Sequence, residues 1–149
     1  MRRPTNPKTF LTPQESAQLA EAIEQAEGRT SGEIKVVFVR HCWTDIRAKA
    51  FQMFKKLNLD KTEQKNCVLI LLVLTNREFL IYGDQGIHEK VGQDFWDDVR
   101  DLMHARFKEG KFVEGLCAGI ERIGEKLAVF FPYKAGDRDE ISDEIAHED

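Results

Sequence analysis

Two short polar segments hold the residue types that could do chemistry. The first is Gly83-Asp84-Gln85-Gly86, which follows the apolar stretch Phe79–Tyr82 and precedes Ile87-His88-Glu89-Lys90. Glycine permits positive φ and close backbone approach. An aspartate between glycines offers the hard carboxylate oxygen that Mg²⁺ or Ca²⁺ takes. Asp84 also suits a plainer role, as the N-cap of a helix that begins after it. The second segment is Thr30-Ser31-Gly32-Glu33, a tight polar turn with a glutamate at the mouth of an apolar run. Asn66, at the start of another apolar run, adds a third oxygen-bearing side chain. Glu33, Asn66 and Asp84 together would form a hard-cation site completed by backbone carbonyls and water. The alternative is a rim of solvated turn residues, since charged side chains are mostly exposed.

Other chemistries fail on spacing. His41-Cys42 followed by Arg47 has four residues between thiol and guanidinium, with no glycine among them, where a cysteine-phosphatase loop needs five and a phosphate-cradling backbone. Cys117 and Arg122 repeat the short spacing inside a helical pattern. No glycine-rich nucleotide loop is present. Asp84 lacks the acids two and four residues on that an EF-hand requires, and no zinc spacing joins the histidines to the cysteines. His88 reads as a surface or helix-end residue, because imidazole prefers softer metals than this oxygen set implies. No catalytic nucleophile or general base stands out.

The elements that would position these residues can be read from periodicity. Thr12-Pro13-Gln14-Glu15 is a helix start with cap, proline and capping-box glutamate, and Gly28 is its stop. Glu33–Val39 is rich in β-branched residues and apolar on both faces in its second half, which predicts a central strand. A helix is predicted over Asp45–Leu57, with Thr44 as its cap, and a buried strand over Cys67–Leu74. Strand, helix and strand make a right-handed crossover with a parallel pair. The short turn at Thr75–Glu78 then makes Phe79–Tyr82 an antiparallel hairpin strand. That topology brings the start of the first strand, the start of the second and the end of the third to one sheet edge. Glu33, Asn66 and Asp84 should therefore converge. Further helices are predicted over Gln93–Phe107 and Phe112–Phe130, after a short turn at Ile87–Val91. The expected fold is a three-layer α/β/α sandwich around a small mixed sheet.

At 149 residues the chain is the size of one domain. Residues 1–9 read as an N-terminal extension, 10–132 as the globular part, and 133–149 as an acidic, mobile tail. The stretch Asp137–Asp149 holds seven acids and one arginine, net −6, so the rest is net +2 within the total of −4. A nucleic-acid binder would show a basic stripe, and none is evident. Three cysteines without motif spacing fit a reducing compartment. The basic start lacks an apolar signal core. The longest apolar run, Cys67–Leu74, has eight residues against the roughly 20 that a spanning helix needs. A cytoplasmic monomer without direct membrane insertion is expected.

Taken as a set, Thr30–Ile34, Asn66–Leu72, Gly83–Gly92, Phe107–Gly110 and Glu114–Leu116 resemble the TPM domain family over about Phe10 to Pro132. The resemblance implies an α/β/α sandwich, a divalent-cation site near the strand-end loops and a phosphatase activity on generic phosphoesters. Many relatives carry a signal peptide and a membrane anchor, and this chain looks like the short stand-alone subgroup. Relatives often have Asp-Asn-Gly entering the second strand, where this chain has Lys65-Asn66-Cys67. The lysine removes one potential ligand and adds repulsion for a cation. The functional expectation is a Ca²⁺- or Mg²⁺-binding domain with weak phosphoester hydrolysis. The alternative is a non-catalytic module that binds a protein partner in stress response or membrane-protein maintenance.

Overall fold

The computed structural model describes residues 3–133 and 145–148. Helix α1 spans Pro13–Glu27 and is opened by a full capping box, in which the Thr12 hydroxyl accepts from Glu15 N while the Glu15 carboxylate accepts from Thr12 N. Its inward stripe is Leu19, Ile23 and Ala26. Glu15 also receives both guanidinium nitrogens of Arg3 at 2.7 Å, which ties the N-terminal segment to the helix. Arg3 and the Thr12 amide together hold the Glu15 carboxyl at about 2, against 4.5 for an unperturbed glutamate. Because the folded-state value lies below the unfolded one, this stabilisation is complete above the unfolded pKa and is lost as pH falls through the folded one. Glu15→Gln keeps the capping box but not the charge. It should cost about 1 kcal/mol at neutral pH. It should also flatten the loss of stability between pH 4.5 and 2, measured as urea midpoints across that range.

The sheet has four strands, β1 (Glu33–Val39), β2 (Cys67–Val73), β3 (Glu78–Gly83) and β4 (Ile145–Glu148), in the order β3-β2-β1-β4. β1 pairs parallel with β2, with Glu33 opposite Cys67. β3 folds back antiparallel on β2, with Gly83 opposite Val68. Helix α2 (Ile46–Lys56) makes the crossover between β1 and β2. Its cap position is held by Asp45, without a side-chain hydrogen bond, in place of the expected Thr44.

The two sheet faces bury separate apolar sets. Ile34, Val36, Phe38, Val68, Ile70 and Leu72 face α1 and the two long C-terminal helices, α4 (Asp97–Lys108) and α5 (Phe112–Phe130). Val37, Val39, Cys67, Leu69, Leu71 and Val73 face α2. The alternation follows from the period of two along a strand, and burial on both sides explains why β2 is apolar throughout and β1 from Val36 onward. The architecture is thus the α/β/α sandwich that the periodicity predicts. The short helix α3 (Gln85–Val91) leads into a 3-10 turn at Gln93–Trp96, which occupies the first turn of the helix expected from Gln93.

Within the stretch read as an acidic tail, Ile145–Glu148 forms a strand, while residues 134–144 and 149 lie outside the described residues. β4 runs parallel to β1, and Arg40 N donates to the Glu148 carbonyl at 3.0 Å. The Glu148 carboxylate receives the ammoniums of Lys49 and Lys56 at 2.5 and 2.7 Å. His147 stacks on Phe38 with ring centroids 6.0 Å apart. Helix α2 carries Arg47, Lys49, Lys55 and Lys56 and no acid, so it is a basic surface that an acidic strand can reach. β1 becomes central because β4 covers its free edge.

Candidate functional site

Among the described residues the buried polar or charged side chains are Thr30, Glu33, Lys35, Thr62, Asn66 and Asp84. All of them belong to segments that enter β1 and β2 or leave β3. Burying polar groups is costly unless they are satisfied or used, so their collection at one sheet edge marks that edge out. Glu33 N donates to the Asn66 carbonyl at 3.3 Å, and Asp84 N donates to the Cys67 carbonyl at 3.0 Å. The topology therefore brings Glu33, Asn66 and Asp84 together as the sequence predicts. By strand alternation Glu33, Cys67 and Asp84 lie on the α2 side of the sheet, continuing the row that Leu80 and Tyr82 begin.

Asp84 is the N-cap of α3. Its Oδ1 accepts from Gln85 N at 2.7 Å. Its Oδ2 is buried and has no hydrogen-bond partner among the described residues. Burial raises the Asp84 pKa, against the lowering effect of the Gln85 amide and of Lys65, and the charge of Asp60 raises it further. Both sequence roles are thus compatible, since one oxygen caps and the other is left over. Asn66 is 1% exposed and turns its Nδ2 to Ser31 Oγ at 3.3 Å, while Gln64 Nε2 holds the same hydroxyl at 3.2 Å. The loop before β2 lies directly on α3. Gly86 N donates to the Lys65 carbonyl at 2.9 Å, and a Cβ on Gly86 would overlap the carbonyl oxygen of Gln64.

Asp60, Lys35 and Thr62 complete the site and are not evident from motif reading. Asp60 sits in a 3-10 turn, Leu59–Lys61, after α2. Its Oδ2 takes Lys55 Nζ at 2.9 Å, whereas its Oδ1 is buried without a partner among the described residues. The Lys55 hydrogen bond holds the Asp60 carboxyl below its usual range. Lys35 is 2% exposed and is the lone cation in EIKVVFV, a signal available in the sequence. The Thr62 hydroxyl oxygen accepts from Asn66 N at 3.3 Å. Lys65, whose charge opposes a cation, has a positive φ of 52° and donates its ammonium to the Asp60 carbonyl.

The chemistry on offer is oxygen donation. Burial pushes the Cys67 thiol well above its usual range, and Glu33 and Asp84 add to that, so it is no thiolate nucleophile. His88 lies on the exposed side of α3. No group of three or more His, Cys, Asp or Glu among the described residues is placed to hold a metal ion. A bound ion would therefore draw on Asn66 and main-chain oxygens as well as carboxylates.

Residues 5–126 match the TPM domain family. The chain belongs to that family. Among solved structures, this TPM domain is similar to the BA42 protein of the psychrophilic bacterium Bizionia argentinensis. The two are 40% identical, with a TM-score of 0.87, over 93% of this chain and 95% of that one. The N-terminal domain of a P. gingivalis protein shares the fold at 16% identity and a TM-score of 0.65, over 81% of this chain and 78% of that one. No curated protein matches. No helix among the described residues of the domain is long and apolar enough to cross a membrane.

Proposed function

We propose that this TPM domain binds a divalent cation, Ca²⁺ or Mg²⁺, at the sheet edge, with Asp84, Glu33 and Asn66 as its side-chain ligands. The reading is carried by the Asp84 carboxylate, buried with one oxygen committed to the α3 cap and the other unused. A buried anion raised by desolvation gains most from a cation that replaces its lost hydration. The donors are hard oxygens, as these ions prefer. When bound, the ion would polarise a phosphoryl oxygen and orient water for weak phosphoester hydrolysis. The chain's own part is to hold the donors: Gln85 N–H fixes the Asp84 carboxylate, Ser31 fixes the Asn66 amide, and Gly86 lets the loop before β2 close on α3.

The test is thermal unfolding with Ca²⁺ and then Mg²⁺, on wild type and Asp84→Asn. An ion at 100 times its Kd adds about 2.7 kcal/mol, or roughly 5–10 °C for a chain of this size. Asp84→Asn should show no shift. Ligation requires the ionised carboxylate, so the wild-type shift should fade as pH drops through the raised Asp84 pKa. Hydrolysis of p-nitrophenyl phosphate should vanish in the same variant. If millimolar ion leaves the wild-type midpoint unchanged, the cation reading is wrong.

A further inference from the structure

The opposite end of the sheet carries a cleft of about 1200 Å³, where β1 and β2 finish. Its floor includes Phe10, Phe79, Phe107 and Phe112. The four rings form one chain of contacts. Phe10 meets Phe112 edge-on at 4.9 Å, Phe107 stacks on Phe112 at 4.7 Å, and Phe79 meets Phe107 edge-on at 5.2 Å. None of the four is fully buried, so all keep surface toward the cleft. Open α/β sheets tend to bind ligands beyond the carboxyl ends of parallel strands, which is where this cleft lies. Apolar walls with a few convergent polar groups are the usual composition of a small-molecule site.

The rim is cationic. The charge of Arg3 is answered by Glu15, and that of Arg100 by Asp97 and Asp101. Arg77 and Lys108 line the cleft without an acidic partner among the described residues, and Glu78 is the remaining acid beside them. Arg77 is unusual in a second way. It takes the left-handed position of the β2–β3 hairpin, φ 54°, where glycine or asparagine fits without the cost that an arginine Cβ incurs. It also makes no hydrogen bond or ion pair within the described protein that would compensate. A residue that breaks a local rule with no structural return is a mark of function.

We infer that this cleft is a second binding site, which takes an aromatic organic anion such as an aryl carboxylate or aryl phosphate. The ring system lies on the phenylalanine floor, and the anionic group meets the Arg77 guanidinium and the Lys108 ammonium. Offset and edge-on ring contacts supply shape, and a guanidinium suits the planar oxygens of carboxylate or phosphate. The site is independent of the sheet edge that holds Asp84.

Anilinonaphthalene sulfonate serves as the probe anion, with uncharged N-phenyl-1-naphthylamine as its control. The full chain should bind the sulfonate saturably at one equivalent. Amide shifts in ¹⁵N-HSQC spectra should cluster at residues 72–79 and 100–112 and spare residues 30–34 and 83–89. Arg77→Gly should weaken the sulfonate about tenfold, leave the neutral analogue unchanged, and raise the unfolding midpoint because the left-handed strain is relieved. Weaker binding by a more stable protein excludes damage to the fold as the cause. Asp84→Asn should bind the probe as wild type does. The inference is overturned by non-saturable binding, by shifts mapping elsewhere, or by equal sulfonate affinity in the Arg77→Gly, Lys108→Ala double variant.

Discussion

Alanine at position 86 should lower stability by about 3 kcal/mol, the upper end of overpacking costs, and abolish the response to divalent cations. Gly86 lies in the first turn of α3, and its N–H is bonded to the Lys65 carbonyl at 2.9 Å. An added Cβ would overlap the Gln64 carbonyl oxygen and stand 2.6 Å from the Lys65 oxygen and 3.1 Å from the Lys65 carbonyl carbon. These neighbours are main-chain atoms, so no side chain can rotate away. Either α3 or the loop Thr62–Asn66 must move. Movement of the loop withdraws Asn66 from the mouth of β2, where its carbonyl receives Glu33 N. Stability and site are therefore expected to fail together. Urea unfolding gives the first, and a Ca²⁺ titration followed by ¹⁵N-HSQC gives the second. A variant with wild-type stability would show that the loop yields freely and that Gly86 does not set the site.

The fold was legible because its strong signals are local. The capping box at Thr12, the doubly apolar runs at Val36–Val39 and Cys67–Val73, and the short turn before Glu78 each have one physical reading. Together they give the parallel pair and the hairpin. The convergence of Glu33, Asn66 and Asp84 followed from topology alone, with no contact known in advance. What motif reading missed depends on tertiary burial. Asp60 looks like any loop acid, and only the packing of its 3-10 turn leaves an oxygen buried. Lys35 is a lysine within a strand, but alternation shows merely that it faces α2, not that it is excluded from water.

The tail shows the same limit from the other side. The apolar first strand called for a neighbour on each edge, yet a hairpin and one crossover supply only one. Ile145-Ala146-His147-Glu148 has a single strongly apolar residue in an acidic context, so composition argued for a solvated tail. Its pairing is favoured by what lies opposite: the basic helix α2 for Glu148 and the Phe38 ring for His147. Two neighbouring ammoniums hold the Glu148 carboxyl below its usual range although burial opposes them. That contribution is present above the unfolded pKa and is lost as pH falls through the folded one.

Phe38→Ala should cost about 3–5 kcal/mol and release β4 selectively. Phe38 is fully buried near the C-terminal end of β1, opposite Leu72 on one side and His147 on the other. Its ring lies 5.8 Å from Phe10 and 6.0 Å from His147. Truncation leaves a cavity between sheet and helices and removes the apolar platform under the tail strand. β1 is held by β2 over seven paired residues but by β4 over four, so the weaker ladder should open first. Amide exchange at 145–148 should then accelerate more than at 67–73. His147 supplies an independent readout. Burial, with a smaller contribution from the Lys8 charge, lowers its pKa from 6.5, so the docked strand binds fewer protons than the free one. In Phe38→Ala the His147 pKa should rise toward 6.5, followed by its ring proton shifts. In wild type, acid should loosen the strand as His147 takes up its proton. A variant that loses stability while exchange at 145–148 and the His147 pKa stay unchanged would show that the ring holds the core alone and that Glu148 suffices to dock the tail.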